Sequence, residues 1–340
     1  MTSKRPVNNQ SGTFLRTAVA GALLAALILS GCGADRGKPR PVVIKFASVS
    51  PPSNPIMKTF RYIEKEIAKR SDGELRVELY DSGRLGGETD NVERLRLNTM
   101  EMTDVATSVL GNFTEEFFVF DLPFLFDNRA HQARVLEGEV GRLMMSRLEE
   151  IGLKGLAFFY IGTRNLYSKK PVVRLDDVAG LKIRVMESRI MQETINALGA
   201  HAIPLSFSEL YNALQQDVVD GAENNPFQYL ASGHVDLCPY FTLTEHFMVP
   251  EILLMSASFY NNLSPGHRRI IDDVVGDSKQ YHAMMWRELE QQTMNALQDA
   301  GAEVTAVDKE PFRERVSGIY SRFKSRYGSE LFDRIARARE

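Results

Sequence analysis

Hydrophobic and polar positions follow two alternating patterns along the chain. In one set of segments, apolar residues form short runs or occupy every second position, as they do in β-strands. These segments are 43–49, 75–79, 102–107, 155–161, 183–186, 218–223 and 252–258. In a second set, apolar residues recur at the spacing of an amphipathic helix. These segments are 56–67, 88–98, 129–151, 189–198, 207–216, 265–300 and 310–338.

The order of these segments predicts the fold class. Strands that alternate with helices over short connections favour an α/β protein with mostly parallel sheets. The helix predicted for 265–300 is much longer than the usual helix of about 11–12 residues. We therefore expect this helix to run along two lobes and to connect them.

The N-terminal segment is typical of a secretory signal. Lys4, Arg5 and Arg16 precede an apolar run at 18–29, which is followed by Leu-Ser-Gly-Cys ending at Cys32. The run is too short to span a bilayer comfortably. The LSGC ending resembles the bacterial lipoprotein signal, in which the cysteine becomes the lipidated first residue. We expect 1–31 to be removed, Cys32 to carry a membrane anchor, and 32–41 to form a tether. The alternative is an ordinary signal with a chance cysteine.

Composition and charge narrow the class of protein. The chain has 340 residues, enough for two domains, and its 44% hydrophobic and 25% charged residues are typical of a soluble globular protein. The net charge of −3, without a basic tract, argues against nucleic-acid binding. Cys238 is the one cysteine besides Cys32, so no intramolecular disulfide forms if Cys32 is acylated.

Motifs for catalysis and metal binding are missing from the sequence. The six histidines do not pair at zinc-ligand spacing, and there is no HExxH, CxxC, GxSxG or phosphate-loop motif. Asp121 and Asp127 could serve acid–base chemistry, but the apolar stretch between them more readily predicts a buried crossing between lobes. We expect a binding protein that is not an enzyme and that has no cofactor and no metal.

Arginines in apolar surroundings mark a candidate binding site. Arg184 lies in the predicted strand GLKIRV at 180–185, where a buried guanidinium is costly unless it meets an anion. The alternative is a solvated arginine on an edge strand. Arg164 follows a strongly apolar strand, and we place it at the carboxyl end of that strand, where ligands of α/β sheets bind. It could equally be an ordinary loop residue.

An asparagine pair marks a third polar position. Asn224 and Asn225 stand between a predicted strand and Pro226, and they can donate and accept hydrogen bonds without a charge cost. Alternatively, their side chains only form hydrogen bonds with the backbone of their own turn. Two arginines and an asparagine pair at strand ends suit a small molecule with a carboxylate and several hydroxyls, because a guanidinium matches a carboxylate in a bidentate manner.

At these residues the chain resembles a known family, the substrate-binding subunits of TRAP (tripartite ATP-independent periplasmic) transporters. The resemblance runs from about residue 44 to about residue 332 and consists of motifs in the family's order. The motifs are SGRLGGE (82–88), FDLPFLF (120–126), GTRN (162–165), LDDVAGLKIRV (175–185), PLSFSELY (204–211) and VDGAENN (219–225).

The resemblance implies a type II periplasmic-binding-protein fold, with two α/β lobes joined by hinge strands and a long helix. We expect 42–160 with about 250–288 in the first lobe, and 161–249 with about 289–340 in the second. It also implies a periplasmic location and a membrane permease of a small and a large subunit as partner.

The resemblance further implies site residues. The family's carboxylate-binding arginine falls on Arg184, a second site arginine on Arg164, a site asparagine on Asn224, and a residue near the polar end of the ligand on Glu88. Further candidates are Asn54, Ser108, Phe207, Asn225, Tyr229 and His246.

The motif AENN at 222–225, together with the later TLTEH and Pro250-Glu251, resembles the branch of the family that binds sugar acids such as uronates and aldonates. Asn54-Pro55 stands where members of that branch often have His-Pro, which leaves the individual sugar acid open. Alternatives are a C4-dicarboxylate or a 2-keto acid as ligand, an exported sugar-acid isomerase or lyase, and a binding protein that feeds a receptor.

Overall fold

The computed structural model describes residues 1–4 and 40–339, so the predicted signal, Cys32 and most of the tether lie outside the described residues. Pro41–Glu340 forms one compact unit, which contains two sheets. The first sheet, in the order β2-β1-β3-β10-β4, has five strands. They are β1 (Val42–Ala47), β2 (Leu75–Tyr80), β3 (Met102–Ala106), β4 (Leu153–Phe159) and β10 (Glu251–Ser256).

The second sheet, in the order β11-β9-β5-β8-β6-β7, has six strands. They are β5 (Arg164–Ser168), β6 (Lys182–Val185), β7 (His201–Pro204), β8 (Gly221–Asn224), β9 (Tyr240–Phe247) and β11 (Glu303–Ala306). We call each sheet, together with the helices packed against it, the first and the second lobe. The finer division of the chain into lobes stays a prediction.

Helices cover both sheets. Those before residue 200 are α1 (Ile56–Arg70), α2 (Glu88–Arg96), α3 (Thr107–Leu110), α4 (Arg129–Glu137), α5 (Glu139–Glu150) and α6 (Arg189–Ala197). Those after it are α7 (Phe207–Gln215), α8 (Pro226–Ala231), α9 (Ala257–Asn262), α10 (Pro265–Asp299), α11 (Glu310–Tyr327) and α12 (Glu330–Arg337). Short 3-10 helices span Glu115–Asp121, Leu175–Val178 and His234–Asp236. The predicted α/β class is confirmed.

The prediction of mostly parallel sheets is confirmed, with one exception in each sheet: a single strand runs against both its neighbours. β10 is antiparallel to β3 and β4, and β5 is antiparallel to β8 and β9. β5 and β10 are the strands by which the chain enters a lobe from the other one, after β4 and after β9 respectively. Each therefore enters its sheet from the opposite end.

Glycines divide two segments that were predicted as continuous helices. Gly138 adopts an extended backbone (φ −87°, ψ −153°) and separates α4 from α5. Gly328 has φ +80°, a conformation that L side chains rarely adopt, and it ends α11 before α12 begins. The strands β5, β7, β9 and β11 were not predicted, since they are short or carry polar residues on both faces.

The long helix α10 confirms the expectation of a connecting element. The Ser264 side chain accepts a hydrogen bond from the His267 amide at 3.1 Å, and Pro265 occupies the first helical turn, so its start is well defined. Along its length α10 packs against α1 and β4 of the first lobe and against α8 and β11 of the second.

The C-terminal helices also contact both lobes. α11 packs against α6 of the second lobe, whereas α12 packs against α5 of the first. The Ile335 carbonyl of α12 lies 3.0 Å from Nε2 of His131, which is buried in α4. One hydrophobic cluster accordingly includes Leu148 of the first lobe, Ile190 of the second and Val316 of α11. Among the helices that the structure describes, none is long and apolar enough to cross a membrane.

Candidate functional site: a cavity between the two sheets

The facing edges of the two sheets flank a cavity with about 500 Å³ of empty space, part of which is open to solvent. Its polar groups from the first lobe are Ser50, Asn54, Glu88 and Glu251. Its polar groups from the second lobe are Arg164, Arg184, Asn224, Asn225 and Gln228. Apolar side chains, among them Ile161, Met186 and Phe207, fill the remaining wall. A polar cavity of this kind between two α/β layers is a typical small-molecule site.

Arg184 is buried in the interior of the second sheet. Its strand β6 lies between β8 and β7, so it is not an edge strand, and the side chain is only 2% exposed. Nε and Nη2 donate to the Leu205 carbonyl at 2.9 and 2.7 Å, and the guanidinium lies over the Phe207 ring at 5.8 Å. Among the described residues, no carboxylate lies within ion-pair distance of it. Burial consequently lowers the pKa of Arg184, although the charge of Glu223 opposes that shift.

Arg164 has an internal counterion. The prediction placed it at the carboxyl end of the preceding strand, which is wrong. β4 already stops at Phe159, and Arg164 is the first residue of β5. Nε and Nη2 donate to the two carboxylate oxygens of Glu223 at 2.5 and 2.9 Å. Nη1 donates to Asn224 Oδ1 at 3.0 Å. The antiparallel pairing of β5 with β8 places these residues side by side, so the Arg164 charge is already balanced.

Three hydrogen bonds between the lobes close the cavity on the side of α8. Gln228 Oε1 accepts hydrogen bonds from Asn54 Nδ2 and from Ser50 Oγ, the latter at 3.4 Å. Asn225 positions this glutamine, because its side chain caps α8 by accepting from the Gln228 amide at 2.9 Å. Ser53 Oγ of the first lobe also donates to the Ala231 carbonyl at 3.2 Å.

Glu187 of the second lobe forms further contacts between the lobes. Its side chain accepts from Thr89 Oγ1 at 2.9 Å, and its carbonyl accepts from Asn112 Nδ2 at 2.6 Å. Both partners belong to the first lobe. These hydrogen bonds, together with those at α8, indicate that the structure represents a closed form.

The first lobe presents carboxyl groups to the cavity. Glu251 begins β10 opposite Ala106, and Asp104 lies two residues earlier on β3, directly behind it. Burial raises the pKa of Asp104 to about 6, and burial with the charge of Asp104 raises the pKa of Glu88 to about 7. Burial and both neighbouring carboxyl groups raise the pKa of Glu251 well above its ordinary value. The described residues contain no group of three or more side chains arranged to hold a metal ion.

The structure brings seven of the predicted site residues to the cavity. They are Asn54, Glu88, Arg164, Arg184, Phe207, Asn224 and Asn225. Three others are buried elsewhere in the described part of the chain. Ser108 donates to Asp121 at 2.5 Å, and Tyr229 donates to the Cys238 carbonyl at 2.8 Å. Nδ1 of His246 lies 2.7 Å from Thr244 Oγ1, and burial lowers the pKa of His246 to about 3, which keeps the ring neutral.

Several cavity residues were missed from the sequence. Ser50 and Gln228 lie in segments without a motif, and Glu251 stands one residue before the predicted strand. Trp286, the one tryptophan of the chain, is 1% exposed on α10, and its Nε1 donor has no partner among the described residues. The sequence feature that could have indicated Trp286 as a cavity residue is that it is a lone tryptophan on the helix predicted to connect the two lobes.

The sequence of the chain matches a known protein family. The family model described as bacterial extracellular solute-binding protein, family 7, matches residues 46–326. Among the curated relatives is the C4-dicarboxylate-binding periplasmic protein DctP of Rhodobacter capsulatus. It is 29% identical over 325 residues, which cover 94% of this chain and 98% of the relative.

Two solved structures share the fold. One is the sugar acid binding protein of Advenella mimigardefordensis in complex with galactonate. It has a TM-score of 0.85 and 30% identity, over 88% of this chain and 99% of the other. The second is a TRAP periplasmic solute binding protein of Pseudomonas putida F1 with bound D-glucuronate. It has a TM-score of 0.83 and 30% identity, over 87% of this chain and 97% of the other. These likenesses confirm the predicted fold class.

Proposed function

The chain belongs to family 7 of the bacterial extracellular solute-binding proteins, the solute-binding subunits of TRAP transporters, and we propose that it captures a sugar acid of the uronate or aldonate type. Its family consists of binding proteins and not of enzymes, which excludes the isomerase or lyase alternative, and its location is periplasmic. A TRAP permease with a small and a large membrane subunit is the partner that would receive the ligand.

The observation that supports this proposal is the environment of Arg184. A guanidinium has five N–H donors, of which two donate to the Leu205 carbonyl. The remaining donors form a planar fork that can bind one carboxylate in a bidentate manner. Because no described carboxylate pairs with Arg184, its buried charge gains a partner when an organic acid binds.

The opposite wall favours hydroxyl groups at the other end of the ligand. A second ligand carboxylate would need a second cation, but Arg164 is paired with Glu223. On the first lobe it would instead meet Glu88 and Glu251. Hydroxyl groups can hydrogen-bond to these carboxyl groups and to the nearby amides of Asn54 and Gln228. This arrangement supports a sugar acid over a C4-dicarboxylate, and the two solved relatives named above contain galactonate and D-glucuronate.

Capture follows a simple order under this proposal. In an open form, the ligand carboxylate meets Arg184 on the second lobe. The first lobe then closes over the ligand, brings Glu88 onto its hydroxyls and forms the Asn54–Gln228 bond. The ligand stabilises the closed form by the contacts that exist only there, and exclusion of water strengthens the ion pair.

A thermal-shift screen tests the proposed ligand class. D-Glucuronate, D-galacturonate and D-galactonate are compared with succinate, pyruvate and D-glucose, followed by titration calorimetry of every acid that stabilises the protein. A ligand at about 100 times its Kd adds about 2.7 kcal/mol to the free energy of unfolding. We expect stabilisation by a sugar acid. Stabilisation by succinate or pyruvate alone would contradict the proposed sugar acid and favour a C4-dicarboxylate or a 2-keto acid as the ligand.

A lipid anchor on Cys32 is a further part of the proposal, and the LSGC sequence at 29–32 supports it. Cell fractionation tests it. The wild-type protein should be found with the membranes, and Cys32→Ser should release it into the soluble periplasmic fraction. A wild-type protein that is itself soluble would show that the signal is an ordinary one.

A further inference from the structure

Two acidic side chains of the first lobe lie next to each other without a cationic partner, Glu251 at the cavity wall and Asp104 behind it. Asp104 is 1% exposed, and neither of its carboxyl oxygens has a hydrogen-bond partner in the described part of the chain. Glu251 is 7% exposed, lines the cavity, and forms no ion pair with a described residue. β3 and β10 are antiparallel neighbours, and the two residues occupy diagonal positions on them.

The charged groups around Asp104 and Glu251 include few cations that could balance two ionised carboxyl groups. On α2, Glu88 adds another carboxyl group, and Ser48 after β1 is a neutral neighbour of Asp104. From the second lobe, Arg164 faces the pair, but Glu223 balances it. Of the two cations that line the cavity, Arg164 is therefore paired, and Arg184, which favours the ionised form of Glu88, is the one whose charge is available to the acidic wall.

Ligand binding removes that offset. When the carboxylate of an organic acid pairs with Arg184, the acidic wall loses its available counter-charge. Closure of the lobes also removes water from Glu88, Asp104 and Glu251. Two adjacent carboxylates in such a site cannot both stay ionised, since like charges at close range and low polarity favour uptake of a proton by one of them.

We propose that Asp104 and Glu251 hold one proton between them in the liganded state, and that the protonated carboxyl group of Glu251 both donates to and accepts from the ligand hydroxyls. Glu251 is then a specificity residue for hydroxylated acids, and capture takes up a proton. This inference rests on the proposed function, because it needs a hydroxylated acid as ligand.

The sign of the pH dependence follows from linkage. The groups concerned have raised pKa values, and binding raises them further, so the complex holds more protons than the free protein. Affinity must then fall as pH rises above the pKa values of the free pair, by up to about tenfold per pH unit where a whole proton is taken up. The effect disappears at low pH, where the pair already holds its proton before the ligand binds.

Calorimetry with D-galacturonate tests the inference, because binding heats in phosphate and Tris buffers differ by the number of protons exchanged. We expect proton uptake by the wild-type protein at a pH above the pKa values of the free pair. Glu251→Gln keeps the shape of a protonated glutamate, so it should bind at neutral pH with an affinity within about tenfold of wild type. It should show little proton uptake and a nearly flat dependence on pH. Asp104→Asn is a second variant with the same expectation.

Glu314→Gln is the matched control, because Glu314 is exposed on α11, and it should reproduce the wild-type proton uptake. Wild-type binding without proton uptake, or a Glu251→Gln protein with the wild-type pH profile, would overturn the inference and leave the proposed function intact. Failure of the wild-type protein to bind any sugar acid at any pH would overturn the proposed function and this inference with it.

Discussion

Arg164 and Arg184 line the same cavity from strands separated only by β8, and both are almost fully buried. Their partners differ. Arg164 is paired with both carboxylate oxygens of Glu223, while Arg184 donates to the Leu205 carbonyl and lies over Phe207. A buried arginine with its own carboxylate belongs to the scaffold, whereas one without a carboxylate can receive an anion. Residue type and burial are the same for both arginines; the counterion is what differs.

The largest expected effect on binding comes from Arg184→Ala. Without the fork, a ligand carboxylate would be buried and unpaired, which costs about 3–5 kcal/mol. That corresponds to about a hundred-fold to several-thousand-fold loss of affinity for a sugar acid. The free energy of unfolding should fall by less than the free energy of binding, because no internal ion pair is broken and only the bonds to the Leu205 carbonyl and the contact with Phe207 are lost. Calorimetry and urea unfolding measure the two quantities.

Arg184→Lys sharpens this result, because it keeps the charge and loses the fork, so it should also bind more weakly than wild type. Arg174→Ala, at an exposed arginine of the second lobe, is the control and should change neither quantity. An unchanged affinity in Arg184→Ala would remove Arg184 from the site.

Arg164→Ala should have the opposite profile. It leaves Glu223 buried and unpaired, so we expect the free energy of unfolding to fall by about 3 kcal/mol. Adding Glu223→Gln to the same chain should restore part of that loss. Urea unfolding of the single and the double variant provides the measurement. If Arg164→Ala kept its stability and lost its affinity instead, the distinction between the two arginines would be wrong.

Glu223→Gln alone tests whether the counterion determines the role of Arg164. Neutralising Glu223 frees a second guanidinium beside the cavity, which should favour ligands with two carboxylates. We expect the affinity for succinate to increase by about tenfold, or about 1.4 kcal/mol. Calorimetry with succinate measures this change, with Glu314→Gln as the control. A decrease in succinate affinity would show that Glu223 does not determine the role of Arg164.

The smallest expected effect comes from Gln228→Ala, which involves neither arginine. It removes the acceptor shared by Asn54 and Ser50 and thus one contact that exists only when the lobes are closed. A hydrogen bond contributes about 0.5–1.5 kcal/mol, so the ligand should dissociate up to about tenfold faster at an unchanged association rate. Stopped-flow fluorescence can follow both rates. A slower association with unchanged dissociation would contradict the assignment to closure.

The sequence predicted the fold class, the connecting helix and most of the polar side chains that line the cavity, including Arg184, because these depend on local patterns and on ordered motifs. It could not predict the pairing of Arg164 with Glu223, which depends on β5 lying next to β8. Since β5 was not recognised as a strand, its neighbours were unknown. The Asp104–Glu251 pair is a similar case, because residues far apart in the chain meet only when β3 and β10 align.

The residues predicted for the site but found elsewhere illustrate the other limit. Gln228 and Tyr229 are consecutive on α8, yet Gln228 faces the cavity and Tyr229 packs in the core between Tyr167 and Phe241. Consecutive positions of a helix point about 100° apart. A motif can locate such a helix near the site, but choosing the side chain that points inward requires the rotation of the helix.

Finally, within residues 40–339 the chain passes between the lobes four times: from β4 to β5, from β9 to β10, along α10, and from α11 to α12. Several separate crossings resist sliding and twisting, so rotation about a single axis is the easiest relative motion. One distance between the lobes then reports the full extent of opening. Fluorophores attached at the exposed Leu97 and Val173, one on each lobe, would convert ligand capture into an energy-transfer signal.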